Sequence, residues 1–475
     1  MILFLSITAF AADVDIAPED AAEISSAISL LNPGDTLRFT GGTYDVTGWS
    51  FNLQGEEGNP IKITAAEGSE FIIRANEEGA FPRGMNFTES SYLEIENIRL
   101  TGDTGWDADG ISFEGMRFTT VTDITLKNVH VSQTAGASLV FTGDSTRIFV
   151  EESSFSYTRN ATPVVIGCHN LGCYVTDVTF QKNLIHDNAD ENHDLMYVYD
   201  GTQNAVITDN VLFNSVRNGI TMGHPDNGDT NYIERNAIWN VENAGFVGRG
   251  PMIFRNNIIF NTGNQGIYFS NPDTIYEGIA ISFNTVVNTG NWGVELRDWY
   301  NVTGNVFSNN AICNPVGDSV YFQMSEDIEL ETSGHTISNN LLCGAVENLR
   351  EDLGHFLLGY GFYDFTDVEG WDFYPVSGSM LLDNADPAGE NYIPQIDFNG
   401  VQRDGSGPEI GAYEWSQESN PGWQIQEGFK TYDLKSPISE EVISEGCCQN
   451  NSSPEKALLL LPLCIGFGLR RRRNA

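Results

Sequence analysis

NNIIFNTGNQGIYF, residues 256–269, sets three apolar residues between asparagines, then a Thr-Gly-Asn turn, a glycine and a second apolar run. The runs have neither a helical period nor the length of ordinary strands. Placing 257–270 (NIIFNTGNQGIYFS) over 284–297 (NTVVNTGNWGVELR) aligns Asn, Thr-Gly-Asn and Gly at an offset of 27. The first asparagine recurs as Asn183, Asn210, Asn236, Asn257, Asn284, Asn310 and Asn340, and a second follows four residues later at Asn214, Asn240, Asn261, Asn288 and Asn314. Earlier units are looser, with Ser153 in the first slot and Asn97 and Asn128 fitting one residue short. Each unit carries about three short apolar runs, such as 253–254, 258–260 and 267–269. No two-residue turn joins them into hairpins, so each run stacks on the same run of the next unit. That predicts parallel strands about 4.8 Å apart, one coil per repeat. Asparagine suits such a coil because it tolerates the left-handed corner and its amide bonds the amides above and below. About ten coils run from Asp35 to Cys343, with less regular ones to Trp415.

The chain has 475 residues, 24 basic and 65 acidic, a formal charge of -41. No Lys/Arg footprint for a phosphate backbone exists, which argues against nucleic acid. An acidic polymer would need a local Arg/His patch or bridging cations. With 48 glycines and 19% charged residues, the composition favours turn-rich β structure. Residues 1–12 (MILFLSITAFAA) read as a signal peptide, 13–415 as the solenoid with its cap, and 416–446 as a polar linker. The segment 447–475 joins Cys447 and Cys448 to a short apolar run, Ala457–Leu469, and Arg470–Arg473. It resembles the C-terminal sorting tails of exported myxobacterial-type surface proteins, which implies secretion and attachment to the outer cell surface. A capped solenoid is expected to be a monomer.

The repeat resembles that of the right-handed parallel β-helix superfamily, the pectate-lyase-like proteins. IAPEDAAEISSAISLLNPGDTLRFTGGTYD (16–45) looks like that family's N-terminal cap with its short amphipathic helix. GNPIKITAAEG (58–68) resembles the first coil of alginate- and chondroitin-cleaving lyases, and DFNGVQRDGSGPEIGAYEW (397–415) the closing segment of exported bacterial β-helix proteins. The resemblance implies an all-β, single-stranded right-handed parallel β-helix. The fold hosts lyases, hydrolases, epimerases, adhesins and non-enzymes alike, so activity must come from the site.

Cys313 and Cys343 each lie three residues after a ladder asparagine in consecutive coils, within disulfide range, and Cys168 and Cys173 bracket a four-residue loop. The alternative is that the stacked pair are small core residues.

A packed solenoid binds ligands on an outer face. With Ile220/Met222, Ile267/Phe269 and Val294/Leu296 inward, the outward positions include Ser112/Glu114, Val140/Thr142, Tyr197/Tyr199, Val247/Arg249, Tyr268/Ser270 and Glu295/Arg297. The neighbouring loops add His169, His224 and DNADENHD (187–194). β-Elimination of a uronate needs a neutralised carboxylate, a base for the C5 proton and an acid for the leaving oxygen. Arg249, or Ca²⁺ on Asp190, Glu191 and Asp194, fits the first role; Tyr199, His224 or His193 fits the others. Tyr197, Tyr268, Arg297 and His193 are placed to contact substrate. The lysine base that the family often uses has no counterpart on this face, since Lys127 and Lys182 precede a corner. The Asp pairs expected of glycoside hydrolases are missing, which ranks hydrolysis lower. A non-catalytic surface protein that binds glycans fits the same outward tyrosines. Glu152, Lys182, Asp209 and Arg235 alternate in sign at one position and read as a salt-bridge ladder.

Overall fold

The computed structural model describes residues 11–74, 83–102, 113–169, 172–189, 191–225, 229–270, 277–299, 302–314, 317–323, 334–347, 356–386, 393–403 and 407–431. Residues 1–10, Asp190, Cys447 and Cys448 lie outside them. Met1–Tyr432 forms one compact unit.

Each coil gives one strand to each of three parallel sheets, and about eleven turns stack into a solenoid. In the coil that carries the opening stretch, Met252–Arg255 belongs to the first sheet, Ile258–Thr262 to the third and Ile267–Phe269 to the second. At the N-terminus a helix, Ile24–Ile28, buries Ile24, Ala27 and Ile28 against the first coils. Inside, phenylalanines stack in register: Phe51, Phe87, Phe118 and Phe141 follow one another at 4.4, 4.6 and 4.8 Å between ring centroids.

The asparagine ladder is real, but its geometry corrects the expected one. Asn183 to Asn340 are fully buried, and none of the seven has a positive φ. The left-handed residue is the one before each of them: Lys182 (φ 52), Asp209 (58), Arg235 (55), Asn256 (55), Phe283 (57), Asn309 (59) and Asn339 (48). A buried amide must reach the main chain of the coil below, as when Asn257 Nδ2 donates to Ile233 O at 2.8 Å. Its Oδ1 meanwhile accepts from Asn236 N at 2.9 Å. Asn97 and Asn128 take the left-handed slot (φ 61 and 52), leaving Ile98 and Val129 in the ladder slot. At the second corner the asparagine itself is left-handed, as in Asn214, Asn240, Asn261 and Asn288.

From Val211 onward the third sheet is apolar on both faces. Ile259 points into the solenoid, whereas Ile258 and Phe260 join an outer core with Phe213, Trp239, Phe373, Phe398, Tyr413 and Trp423. The cover over this face continues beyond residue 415. Trp423, Ile425 and Lys430 are buried, so 416–431 is packed chain where a linker was expected. The segment has no period because a few buried anchors, Trp423, Ile425 and Lys430, and not a repeat, hold it. Lys430 Nζ donates to Asp209 Oδ1 (3.0 Å), Arg235 O (2.9 Å) and Phe398 O (2.7 Å). Of the expected charge ladder, Arg235–Asp209 forms at 3.1 Å, and Lys430 joins it from the cover.

Candidate functional site

The outer face of the second sheet presents a continuous column in register: Arg117, Val140, Val165, Tyr197, Thr221, Val247, Tyr268, Glu295 and Tyr321. Two residues further along, Tyr199, Gly223 and Arg249 continue the successive rungs. From Arg117 to Glu295 is seven rungs, about 34 Å, the span of an oligosaccharide. Arg117 replaces the Ser112/Glu114 expected here. Met116 and Phe118 are the inward pair of that coil, so the alternation runs through GMRF and not through ISF.

A cavity of about 450 Å³ opens on this face, lined by Arg117, Thr142, Val165, His169, Tyr199 and the Cys168–Cys173 loop. The disulfide between those cysteines spans 6.0 Å between Cα atoms and closes the loop that carries His169. The His169 ring sits 5.8 Å from that of Tyr199, edge to face, and Tyr197 lies 4.4 Å beyond. Gly167, at φ 103, lets this packing happen; a Cβ there would sit 2.8 Å from Tyr199 Cβ. Arg117 is held by both oxygens of Glu114, at 2.6 and 2.5 Å. Burial raises the phenol pKa of Tyr197 and of Tyr199, and for Tyr199 the neighbouring Tyr197 and Asp194 add to the rise. Both hydroxyls are therefore protonated donors at neutral pH.

Among the described residues, Tyr199 alone of Tyr199, His224 and Arg249 lines this cavity. Tyr199 and Arg249 stand two rungs apart, about 10 Å between Cα atoms, with Gly223 between them. His224 is drawn to Asp200, its N–H bonding Oδ1 at 3.1 Å and Nδ1 lying 3.5 Å from that oxygen. Arg249 is close enough for its charge to favour the Tyr197 phenolate. His169 is the partner that Tyr199 meets in the cavity; Arg117 lines the same cavity three rungs before Tyr197, about 14 Å along the column.

Three to five rungs beyond Tyr197 a second cluster forms. Glu295 is fully buried, accepting from Gln265 Nε2 and from Arg297 Nε, both at 2.5 Å. The Arg297 guanidinium lies 5.1 Å over the Tyr268 ring, and Trp292 stacks on Tyr321 at 4.5 Å. His193 meets the body through its carbonyl, which accepts from Asn188 Nδ2 at 2.6 Å.

Of the expected Ca²⁺ ligands, Asp190 lies outside the described residues, and Asp194 is engaged elsewhere. Asp194 is 1% exposed, with Oδ1 taken by Asn218 Nδ2 at 2.9 Å and Arg217 Nε at 3.3 Å. It anchors its loop to the next coil, while Glu191 is exposed. Among the described residues no group of three His, Cys, Asp or Glu is placed to hold a metal ion. No step below uses Ca²⁺. Cys313 and Cys343 are joined across consecutive coils, Cα atoms 4.6 Å apart.

The family described as "right handed beta helix region" matches residues 63–238. No curated protein matches the sequence. Among solved structures, pectate lyase Pel9A superposes with a TM-score of 0.50 and 14% identity, covering 85% of this chain and 96% of its own. The A-module of the Azotobacter vinelandii mannuronan C-5 epimerase AlgE6 gives 0.50 at 13% identity, covering 72% and 92%. At such identities the likeness establishes the fold: a right-handed parallel β-helix.

Proposed function

We propose that this chain is an exported polysaccharide lyase that cleaves a uronate-containing polymer by β-elimination in the groove of the second sheet. The observation that carries this reading is one cavity lined by Arg117 at one end and by the touching His169 and Tyr199 at the other, on an outer face about 34 Å long (about seven rungs). Arg117, fixed by Glu114, faces the uronate carboxylate and acidifies the C5 proton. His169 takes that proton. The electron pair forms the C4–C5 double bond, the C4–O bond breaks, and Tyr199 gives its proton to the departing oxygen. Its raised pKa keeps that proton in place until the leaving oxygen needs it. Arg249 and the Arg297–Tyr268–Tyr321 cluster then hold neighbouring sugars. The uronate lyase and epimerase names among the structural relatives are in keeping with this chemistry but do not carry it.

The test is incubation with alginate, polygalacturonate and chondroitin, with and without Ca²⁺, while following the absorbance of unsaturated uronate products. Activity on one polymer that is lost in Tyr199→Phe and Arg117→Ala supports the reading; no product on any polymer sinks it. Because the chain carries -41, turnover of a polyanion should rise with moderate salt as long-range repulsion is screened. A second reading, a surface protein that binds glycans without cleaving them, is favoured by the half-exposed Tyr197, Tyr268, Trp292 and Tyr321. It predicts retention of one of these polymers with no product and no loss on Tyr199→Phe.

A further inference from the structure

The cover over the third sheet ends in a second, smaller cavity, far round the solenoid from the groove. It measures about 170 Å³ and lies between Asn261, Asn288 and Val287 on the sheet and Phe362, Glu369 and Trp371 on the cover. Beside it the surface changes character. Among the described residues seven large hydrophobic side chains are exposed, and four of them, Leu358, Tyr360, Phe362 and Tyr363, fall within six positions. Exposed apolar surface gathered in this way marks an interaction site more often than scattered residues do.

The chemistry of the walls narrows the occupant. Trp371 is held at φ 63, a conformation that bulky residues rarely adopt, and packs against Trp239 and Phe260 at 5.6 and 5.4 Å. Facing it, Asn261 and Asn288 occupy opposite positions on adjacent rungs. Asn288 Nδ2 donates to Asn261 Oδ1 at 2.7 Å. Asn261 Nδ2 and Asn288 Oδ1 have no partner among the described residues, leaving one donor and one acceptor on adjacent rungs at the cavity edge. An aromatic wall opposite a paired donor and acceptor matches a pyranose, whose C–H face is apolar and whose rim carries hydroxyls. A purely apolar peptide would strand both amides. Glu369 stands in the lining, on a turn fixed by Gly370 N donating to Asp367 Oδ1 at 3.0 Å, with no lysine or arginine among the described lining residues. Such a site repels a uronate.

We infer that this cavity is a second carbohydrate site that binds a neutral pyranose of a polysaccharide, on a face separate from the groove. It does not depend on the lyase reading, because neutral sugars offer no carboxylate to Arg117. Isothermal titration of the full chain with cellohexaose, xylohexaose and mannohexaose, and with hexagalacturonate for contrast, tests it. At least one neutral hexasaccharide should bind in the millimolar range or tighter. Phe362→Ala, at a 40% exposed residue whose loss leaves the cores intact, should weaken that binding about tenfold. Glu369→Lys should bring hexagalacturonate into the site. Elimination activity, where present, should be the same in both variants. Failure of all three neutral ligands to bind overturns the inference, as does unchanged affinity in Phe362→Ala.

Discussion

Replacing Asn257 by alanine should cost far more than its exposed cousin on the next corner. Asn257 Oδ1 accepts from Asn236 N (2.9 Å) and Asn236 Nδ2 (3.0 Å). Its Nδ2 donates to Ile233 O (2.8 Å), Arg255 O (3.1 Å) and Asn284 Oδ1 (3.1 Å). Truncation leaves the main chain of residue 257 in place, so Asn257 N still bonds Asn284 Oδ1, and Asn236 Nδ2 still bonds Ile207 O. What is stranded is the Asn236 N–H, which loses its acceptor, while Ile233 O loses a donor, both inside a fully buried ladder. At about 1–3 kcal/mol for each unsatisfied buried group, plus a small void, the loss comes to roughly 3–5 kcal/mol. Asn240→Gly is the control. Asn240 is exposed, its only ladder bond is 3.5 Å long, and glycine keeps its φ of 51. It should lose less than about 1 kcal/mol. Equilibrium urea unfolding followed by far-ultraviolet circular dichroism measures both. A loss below 1 kcal/mol in Asn257→Ala, or equal losses in the two variants, would refute the claim that buried amides and not corner conformation hold the coils together.

Lys430→Met should cost roughly 2–4 kcal/mol, since two main-chain carbonyls lose their donor, and should expose 416–431 to limited proteolysis. The same variant has a pH signature. Burial lowers the Lys430 pKa to about 8 from 10.5, so between those values the unfolded chain binds a proton that the folded chain does not, and stability rises with pH there. Chemical denaturation across that window should show the rise in the parent and not in the methionine variant. Glu409 shows the opposite sign. Burial and the Glu414 carboxylate raise its pKa, so its contribution is present in acid and fades as pH climbs above the ordinary carboxylate value; Glu409→Gln should flatten that fall in a pH series of melting curves. Removing the Cys313–Cys343 link, which closes a 30-residue loop, should cost about 3.6 kcal/mol on the chain-entropy account, read as a lower thermal midpoint in Cys313→Ala/Cys343→Ala.

Corner chemistry made the fold legible. Few residue types meet the demands of a buried amide ladder and a left-handed corner, so Asn, Thr-Gly-Asn and Gly recur at fixed offsets and announce each coil. The left-handed slot before the ladder was harder to see, because Lys182, Arg235 and Phe283 fill it as well as Asn256 does. The outer core was written in plain view: in VLF, AIW and IIF of successive coils, both faces of the third sheet are apolar, which only a covered face tolerates. The site left weaker traces. Arg117 hid behind two competing alternations in GISFEGMRF, and Asp194 looked like a metal ligand because an acidic loop does not reveal which carboxylate turns inward to an arginine.

The three outer faces also explain why the proposed chemistry is assigned to only one of them. From Val211 onward the third is buried under the cover apart from its rim, where Asn261 and Asn288 line a cavity with Trp371. The first carries opposed charges from coil to coil, with Lys62 on Glu94 (2.6 Å), Arg147 on Asp123 (2.7 Å) and Lys127 on Glu151 (2.8 Å). Those charges satisfy one another and leave little to offer a ligand. The second has apolar rungs, Val140, Val165 and Val247, interrupted by tyrosines, by Arg117 at one end and by buried Glu295 with its half-buried partner Arg297 at the other. A rigid spacing of about 4.8 Å turns that order of residues into a ruler along which a polymer can lie. Where the ruler is broken by Gly167, Tyr199 sinks toward the His169 loop and a cavity opens. A bulkier residue at that rung would push Tyr199 out and close the cavity, so Gly167 is the position on which the proposed chemistry of the groove turns.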